Sequence, residues 1–155
     1  MRVFSDLAEF VAAKGEHLGH SDWHEITQEQ VNLFADATGD HQWIHVDIER
    51  AKAGPFGGPI AHGFLTLSLL SVLGQDLYRV HGLAMGVNYG LNKVRFPTPV
   101  PVGSRVRAGA ELVEVTEVKL GTQAVLKFTV EIENQPKPAC VAEQVVLLTA
   151  ARTER

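Results

Sequence analysis

The chain has 155 residues, 45% hydrophobic and 21% charged, with a formal net charge of −4 and an isoelectric point near 5.9. That balance describes one domain with a sizeable core, and the absence of a basic run or stripe excludes a nucleic-acid binder. The single cysteine, Cys140, excludes an internal disulfide and fits a reducing, cytoplasmic setting. The N-terminus has no basic segment leading into an apolar core, so no signal peptide is expected. The apolar stretch around residues 64–73 is too short and too interrupted by Thr and Ser to span a bilayer.

Residues 5–14 predict a short helix, with Ser5 as cap, Leu7, Phe10 and Val11 at helical spacing, and Gly15 as the stop. The first 20 residues are thus expected to form a helical extension. Asp22–Ile26 follows as a brief strand. Thr27 with Gln30 three residues on is a capping-box pattern, opening a helix that carries Val31, Phe34 and Ala35 and ends near Gly39. The polar stretch Asp40–His45 leaves that helix end as a loop, and Asp47 caps another short helix, Ile48–Lys52.

Gly54–Pro59 holds three glycines and two prolines in six residues, a loop with unusual backbone angles. Ala61–His62–Gly63 closes it and starts the longest helix, expected to run to about Val80. Phe64, Leu65, Leu67, Leu69, Leu70, Val72, Leu73 and Leu77 make that helix apolar nearly all round, so other elements must cover most of it. Met85–Phe96, Ser104–Val118, Thr122–Glu133 and Ala139–Thr149 read as strands joined by short connections, hence an antiparallel sheet. A long curled sheet around one buried helix is an α+β roll. The tail, residues 151–155, is expected to fray.

Chemistry concentrates in two places. Asp40 and His45, five residues apart, can share acid and base roles around one water if they face one gap; a helix-ending Asp and a packed His are the inert alternative. Gly63 opens the apolar helix, where first-turn N–H groups lack partners and a developing oxyanion can be held; it can equally be there for packing. Asp40, His41, His45 and His62 are potential metal ligands, but no regular zinc spacing is present, so no metal is expected. His17, His20, His24 and His81 read as surface residues. Gly-x-Ser-x-Gly, Gly-x-Gly-x-x-Gly and P-loop patterns are absent.

The run Ala37–Thr38–Gly39–Asp40–His41–Gln42–Trp43–Ile44–His45, followed by Ala51, resembles the signature of the MaoC-like dehydratases, the R-specific enoyl-CoA hydratases. The Gly-rich loop into Ala61–His62–Gly63 and the apolar helix match as well, and the Asp-His-Gln-Trp-Ile-His variant looks most like a nodulation-protein-N-like branch. The resemblance implies one hot-dog domain over 1–155. It implies reversible hydration of trans-2-enoyl thioesters to (R)-3-hydroxyacyl thioesters, carried on CoA or acyl-carrier protein and fitting fatty acid metabolism. It implies Asp40 and His45 as the catalytic pair and Gly63 as the backbone donor to the thioester carbonyl, with Gln42, Gly58 and His62 as substrate-binding residues and no cofactor or metal. It also implies a homodimer joined at sheet edges.

Gln42 and Trp43 replace the usual Asn and Pro. Trp43 is expected to pack rather than touch substrate. Lys93, Arg95 and Arg105 are candidate cations at the pocket mouth, though each also reads as a solvated strand-end charge. Two other functions compete with hydration: a hot-dog thioesterase, which needs no paired His at this spacing, and a non-catalytic subunit that binds acyl thioesters.

Overall fold

A helix with little polar surface is laid into the hollow of a curled antiparallel sheet. The computed structural model describes residues 1–152. In chain order these form β1 (Arg2–Phe4), α1 (Leu7–Ala12), β2 (His17–His20), β3 (His24–Glu25), α2 (Gln28–Thr38), α3 (Trp43–Val46), α4 (Ile48–Lys52), α5 (Gly63–Ser68), α6 (Leu70–Leu77), β4 (Tyr78–Val80), β5 (Leu83–Arg95), β6 (Arg105–Val118), β7 (Gly121–Ile132) and β8 (Cys140–Ala150). The main sheet runs β2-β6-β7-β8-β5, with β3 also on β6. The hot-dog arrangement is therefore present.

Alternation builds the sheet. Along β7, Thr122, Ala124, Leu126, Phe128, Val130 and Ile132 are buried and most of their neighbours less so. Small residues, Ala108, Ala110, Ala124 and Ala142, line the hollow, and Leu65, Leu69, Leu70, Leu73 and Leu77 of the helix join the same core. α5 and α6 are one helix in all but name: Leu69 sits between them, yet its N–H reaches the Leu65 carbonyl and its carbonyl takes the Leu73 N–H, at 3.0 and 2.9 Å. Cys140 is fully buried among these residues, and burial pushes its thiol up to about 11.

Several expectations change. The first 20 residues are not simply helical: β1 lies parallel to β4, and β2 joins the main sheet. α1 is capped by Asp6, not Ser5; the Asp6 carboxylate accepts the Glu9 N–H at 2.8 Å, while Glu9 reaches back to Ser5. The long helix stops at Leu77 because Tyr78–Val80 turns extended to pair with β1. Most sides of that helix are covered as expected, and the stripe left bare includes Phe64 at 70% exposure and Val72 at 40%. Thr27 does cap α2, accepting the Gln30 N–H, and Gly39 ends it in the left-handed region at φ 80°. Of the tail, Ala151 still donates to the Gly82 carbonyl at 2.8 Å; the fraying expected over 151–155 otherwise concerns residues that lie outside those described, 153–155.

One feature of the sheet faces outward. β5 is an edge strand of 13 residues, open on both faces, and it presents Met85, Val87, Tyr89 and Leu91.

Candidate active site

The Asp40–His45 stretch is not one open loop. Its second half winds into α3, which places His45 in a helix and buries it at 6% exposure. Segment 59–61 locks α3 in place. Ile60 donates its N–H to the Ile44 carbonyl at 3.0 Å and accepts from His45 Nδ1 at 2.6 Å. On its other side the same segment is bound to the loop after β5, Ala61 donating to the Val100 carbonyl at 2.8 Å. The Gln28 amide donates to the His45 carbonyl at 2.8 Å, tying α3 to the start of α2.

These bonds assign the tautomer. A carbonyl only accepts, so His45 carries its proton on Nδ1 and leaves Nε2 with a free lone pair. Burial holds His45 below the ordinary imidazole range, and the neighbouring His62 pushes the same way; the Ile60 carbonyl and Asp40 oppose them. His45 is therefore a neutral base at pH 7.

Asp40, His45 and His62 come together. One oxygen or ring nitrogen from each lies within 4.8 Å of the others. The Asp40 carboxylate is exposed rather than buried and accepts the Gln42 N–H at 3.3 Å. His41 points elsewhere, to the exposed Asp36 carboxylate at 2.9 Å, which raises its pKa. The three clustered residues fit a metal poorly. The His45 and His62 rings are stacked, 3.9 Å between centroids and 25° between planes. An ion in the plane of one ring would lie well out of the plane of the other, whereas zinc takes its ligand lone pairs in line at about 2.0–2.1 Å.

A cleft of about 260 Å³ opens beside His45 and is lined by Gly63, Thr66, Phe96, Thr98 and Val100 among others. Gly63 stands at the helix start, ahead of the first intrahelical bonds, which Leu65 and Thr66 make to the His62 carbonyl. A side chain there would press on the Phe96 ring, its Cβ at 3.3 Å. Further along the helix a separate groove follows one stripe, Leu67, Leu70, Ser71 and Gly74, facing β5 and ending at Tyr78. Thr66 and Phe96 were not singled out from sequence; the available signals were a lone hydroxyl on a buried helical stripe and an aromatic at the end of a strand.

Of the clustered residues only His45 lines the cleft; Asp40 and His62 do not, and neither do Gln42 and Gly58. Gln42 heads α3 without a side-chain capping bond, and His62 is buried. Trp43 packs: Arg50 lies 4.3 Å over its ring, and Gly54 backs onto it closely enough that a Cβ would sit at 2.9 Å. Lys93 and Arg95 face away from the core on the outer side of the sheet. There Glu111, Lys127, Glu143 and Lys93 stand opposite one another in a row of alternating charge. Arg105 is paired with Glu133. Lys93 and Arg105 thus each face an acidic neighbour on the sheet, while Arg95 donates to the Val94 carbonyl at 2.7 Å.

The family model described as "MaoC like domain" matches residues 9–135. The chain belongs to the MaoC-like family. Within it, the chain is 62% identical over 151 residues to 3-hydroxyacyl-thioester dehydratase Z of Mycobacterium tuberculosis, covering 97% of this chain and 100% of that protein. It is 47% identical over 149 residues to nodulation protein N of Rhizobium meliloti, covering 92% and 89%. Among solved MaoC-like structures, the (R)-hydratase of A. caviae superposes with a TM-score of 0.71 at 29% identity, covering 87% and 96% of the two chains. A protein from Archaeoglobus at 24% identity gives 0.75 over 96% and 97%, a likeness of fold.

Proposed function

We propose that this chain is a hydro-lyase that adds water to trans-2-enoyl thioesters and removes it from (R)-3-hydroxyacyl thioesters. The observation that carries the reading is the free Nε2 of a neutral, buried His45 beside the Asp40 carboxylate, next to a cleft that reaches the helix start at Gly63. The dehydratase and hydratase relatives support the same reaction.

In the hydration direction the Asp40 carboxylate accepts one hydrogen of the water and orients it. His45 Nε2 takes the other as the oxygen bonds to C3. The electron pair of the double bond moves to the thioester oxygen, where the Gly63 N–H and the positive end of the helix meet it. C2 then takes the proton back from the imidazolium, which restores neutral His45. The acyl tail lies in the groove along Leu67, Ser71 and Gly74, and the carrier is CoA in the simplest case. A second copy paired along β5 would extend the sheet and cover the exposed apolar strand, since a long apolar edge left open invites association.

Loss of enoyl absorbance on adding the protein to crotonyl-CoA tests the reaction. Asp40→Asn and His45→Gln are each expected to lower kcat by about 10²–10⁴-fold, the usual worth of a positioned acid or base. Release of free thiol without loss of the double bond would replace hydration by thioester hydrolysis. Neither signal, with short or long enoyl chains, would leave a binding subunit.

A further inference from the structure

His62 is the one buried titratable ring in this region that the reaction above does not use. It is 2% exposed and stands as N-cap of the helix without making a side-chain capping bond. Its Nε2–H donates to the backbone carbonyl of Asp40 at 3.0 Å. Its face lies against the His45 ring, and the Phe34 ring sits 4.8 Å away. That one donor bond fixes its tautomer, so Nδ1 carries a bare lone pair; among the described residues nothing donates to it, and it is buried. Packing alone would be served as well by a phenyl ring. The histidine adds a donor aimed at the main chain of Asp40.

We propose that His62 is the positioning residue of the site: it fixes the backbone of Asp40 by its hydrogen bond and the ring plane of His45 by its stack, and touches no substrate. The inference rests on reading Asp40 and His45 as the acid–base pair. Two links from one ring hold the two reacting groups in a common geometry, although one comes from the α2–α3 connection and the other from α3. The stack is the link that senses charge on His45. The titratable groups facing His45 are Asp40 and His62; α2 contributes the uncharged Gln28, and the wall at Thr98, Pro99 and Val100 carries no charge. Burial disfavours the His45 imidazolium, and the stacked His62 ring pushes the same way.

Three substitutions separate the links. His62→Phe keeps the stack and loses the donor, His62→Gln keeps a donor and loses the stack, and His62→Ala loses both. With crotonyl-CoA, His62→Ala is expected to lower kcat about a hundredfold, the scale of a small misplacement of reacting groups. KM should stay within about twofold, as for a residue without substrate contact. Phe and Gln should each restore part of kcat, and the acid limb of the pH–rate profile should move to higher pH in His62→Phe. A rise in KM at unchanged kcat would make His62 a substrate contact, and wild-type kcat with an unmoved acid limb would make it packing only; either overturns the inference. If His62→Ala does not fold, Phe and Gln decide. If the wild type hydrates no enoyl thioester, the proposed reaction fails first. Imidazole titration by NMR then decides the inference alone: a higher His45 pKa in His62→Phe sustains the contact, and an unchanged one sinks it.

Discussion

At the scale of single residues, one hydrogen bond sets the chemistry on offer: the Ile60 carbonyl holds the proton on His45 Nδ1 and leaves Nε2 bare. Asp40, His45 and Gly63 were legible in the sequence as candidates because their residue types carry chemistry wherever they fall. The inward ring of His62 was not, because a histidine before a glycine says nothing about what each ring nitrogen meets. His45 supplies a pH prediction. Burial lowers its folded pKa below the free value of 6.5, so the rate should hold through pH 6.5 and fall only as pH drops through the folded pKa. The linked stability has a definite sign: between the folded pKa and 6.5 the unfolded chain binds more protons, so His45's contribution is complete above 6.5 and is lost on acidification through that window. Midpoints of chemical denaturation measured across that range check it. Gly63→Ala brings a methyl against Phe96. The ring must give way into the cleft, so kcat/KM is expected to fall about tenfold or more, with a stability loss of about 1–3 kcal/mol, the usual cost of overpacking. Equal rates for Gly63→Ala and wild type would count against a substrate at this helix start.

At the scale of elements, the four long strands and the helix caps were legible from alternation and from Thr27, Gly39 and Asp47. The short pieces were not. β1, β2 and β4 have three or four residues each, too few for a period to show. The parallel pairing of β1 with β4 joins segments more than 70 residues apart, which no local pattern announces. That pairing has a job in the fold. Phe10 is fully buried, edge-on to Phe4 at 5.3 Å and stacked on Tyr78 at 5.5 Å, so the N-terminal segment backs the residue that lines the far end of the helix groove. β1 precedes the stretch matched by the family model. Phe10→Ala should cost about 3–5 kcal/mol. In a chain of this size that lowers the thermal midpoint by roughly 10 °C. Scanning calorimetry checks it, and preference among enoyl chains should shift toward longer ones as the floor loosens.

At the scale of the whole molecule, the sequence predicted a wrapped helix but could not show which side stays bare. Exposed apolar residues line β5 at Met85, Val87, Tyr89 and Leu91, and the helix adds Phe64 and Val72. Tyr89, 71% exposed on that edge, is the position to test. Tyr89→Lys should halve the mass seen by light scattering if two copies meet there, since a charge on an edge strand opposes pairing. An unaltered mass would place any association elsewhere. The sheet also contains its own clock. Cys140 is the only thiol, fully buried at the start of β8, with a pKa near 11. The thiolate is the form that attacks an alkylating reagent, so the folded chain should stay unlabelled while opened molecules react. The rate of label uptake therefore times how often β8 leaves its neighbours, and a disulfide-linked pair on a non-reducing gel would mark molecules that had unfolded first.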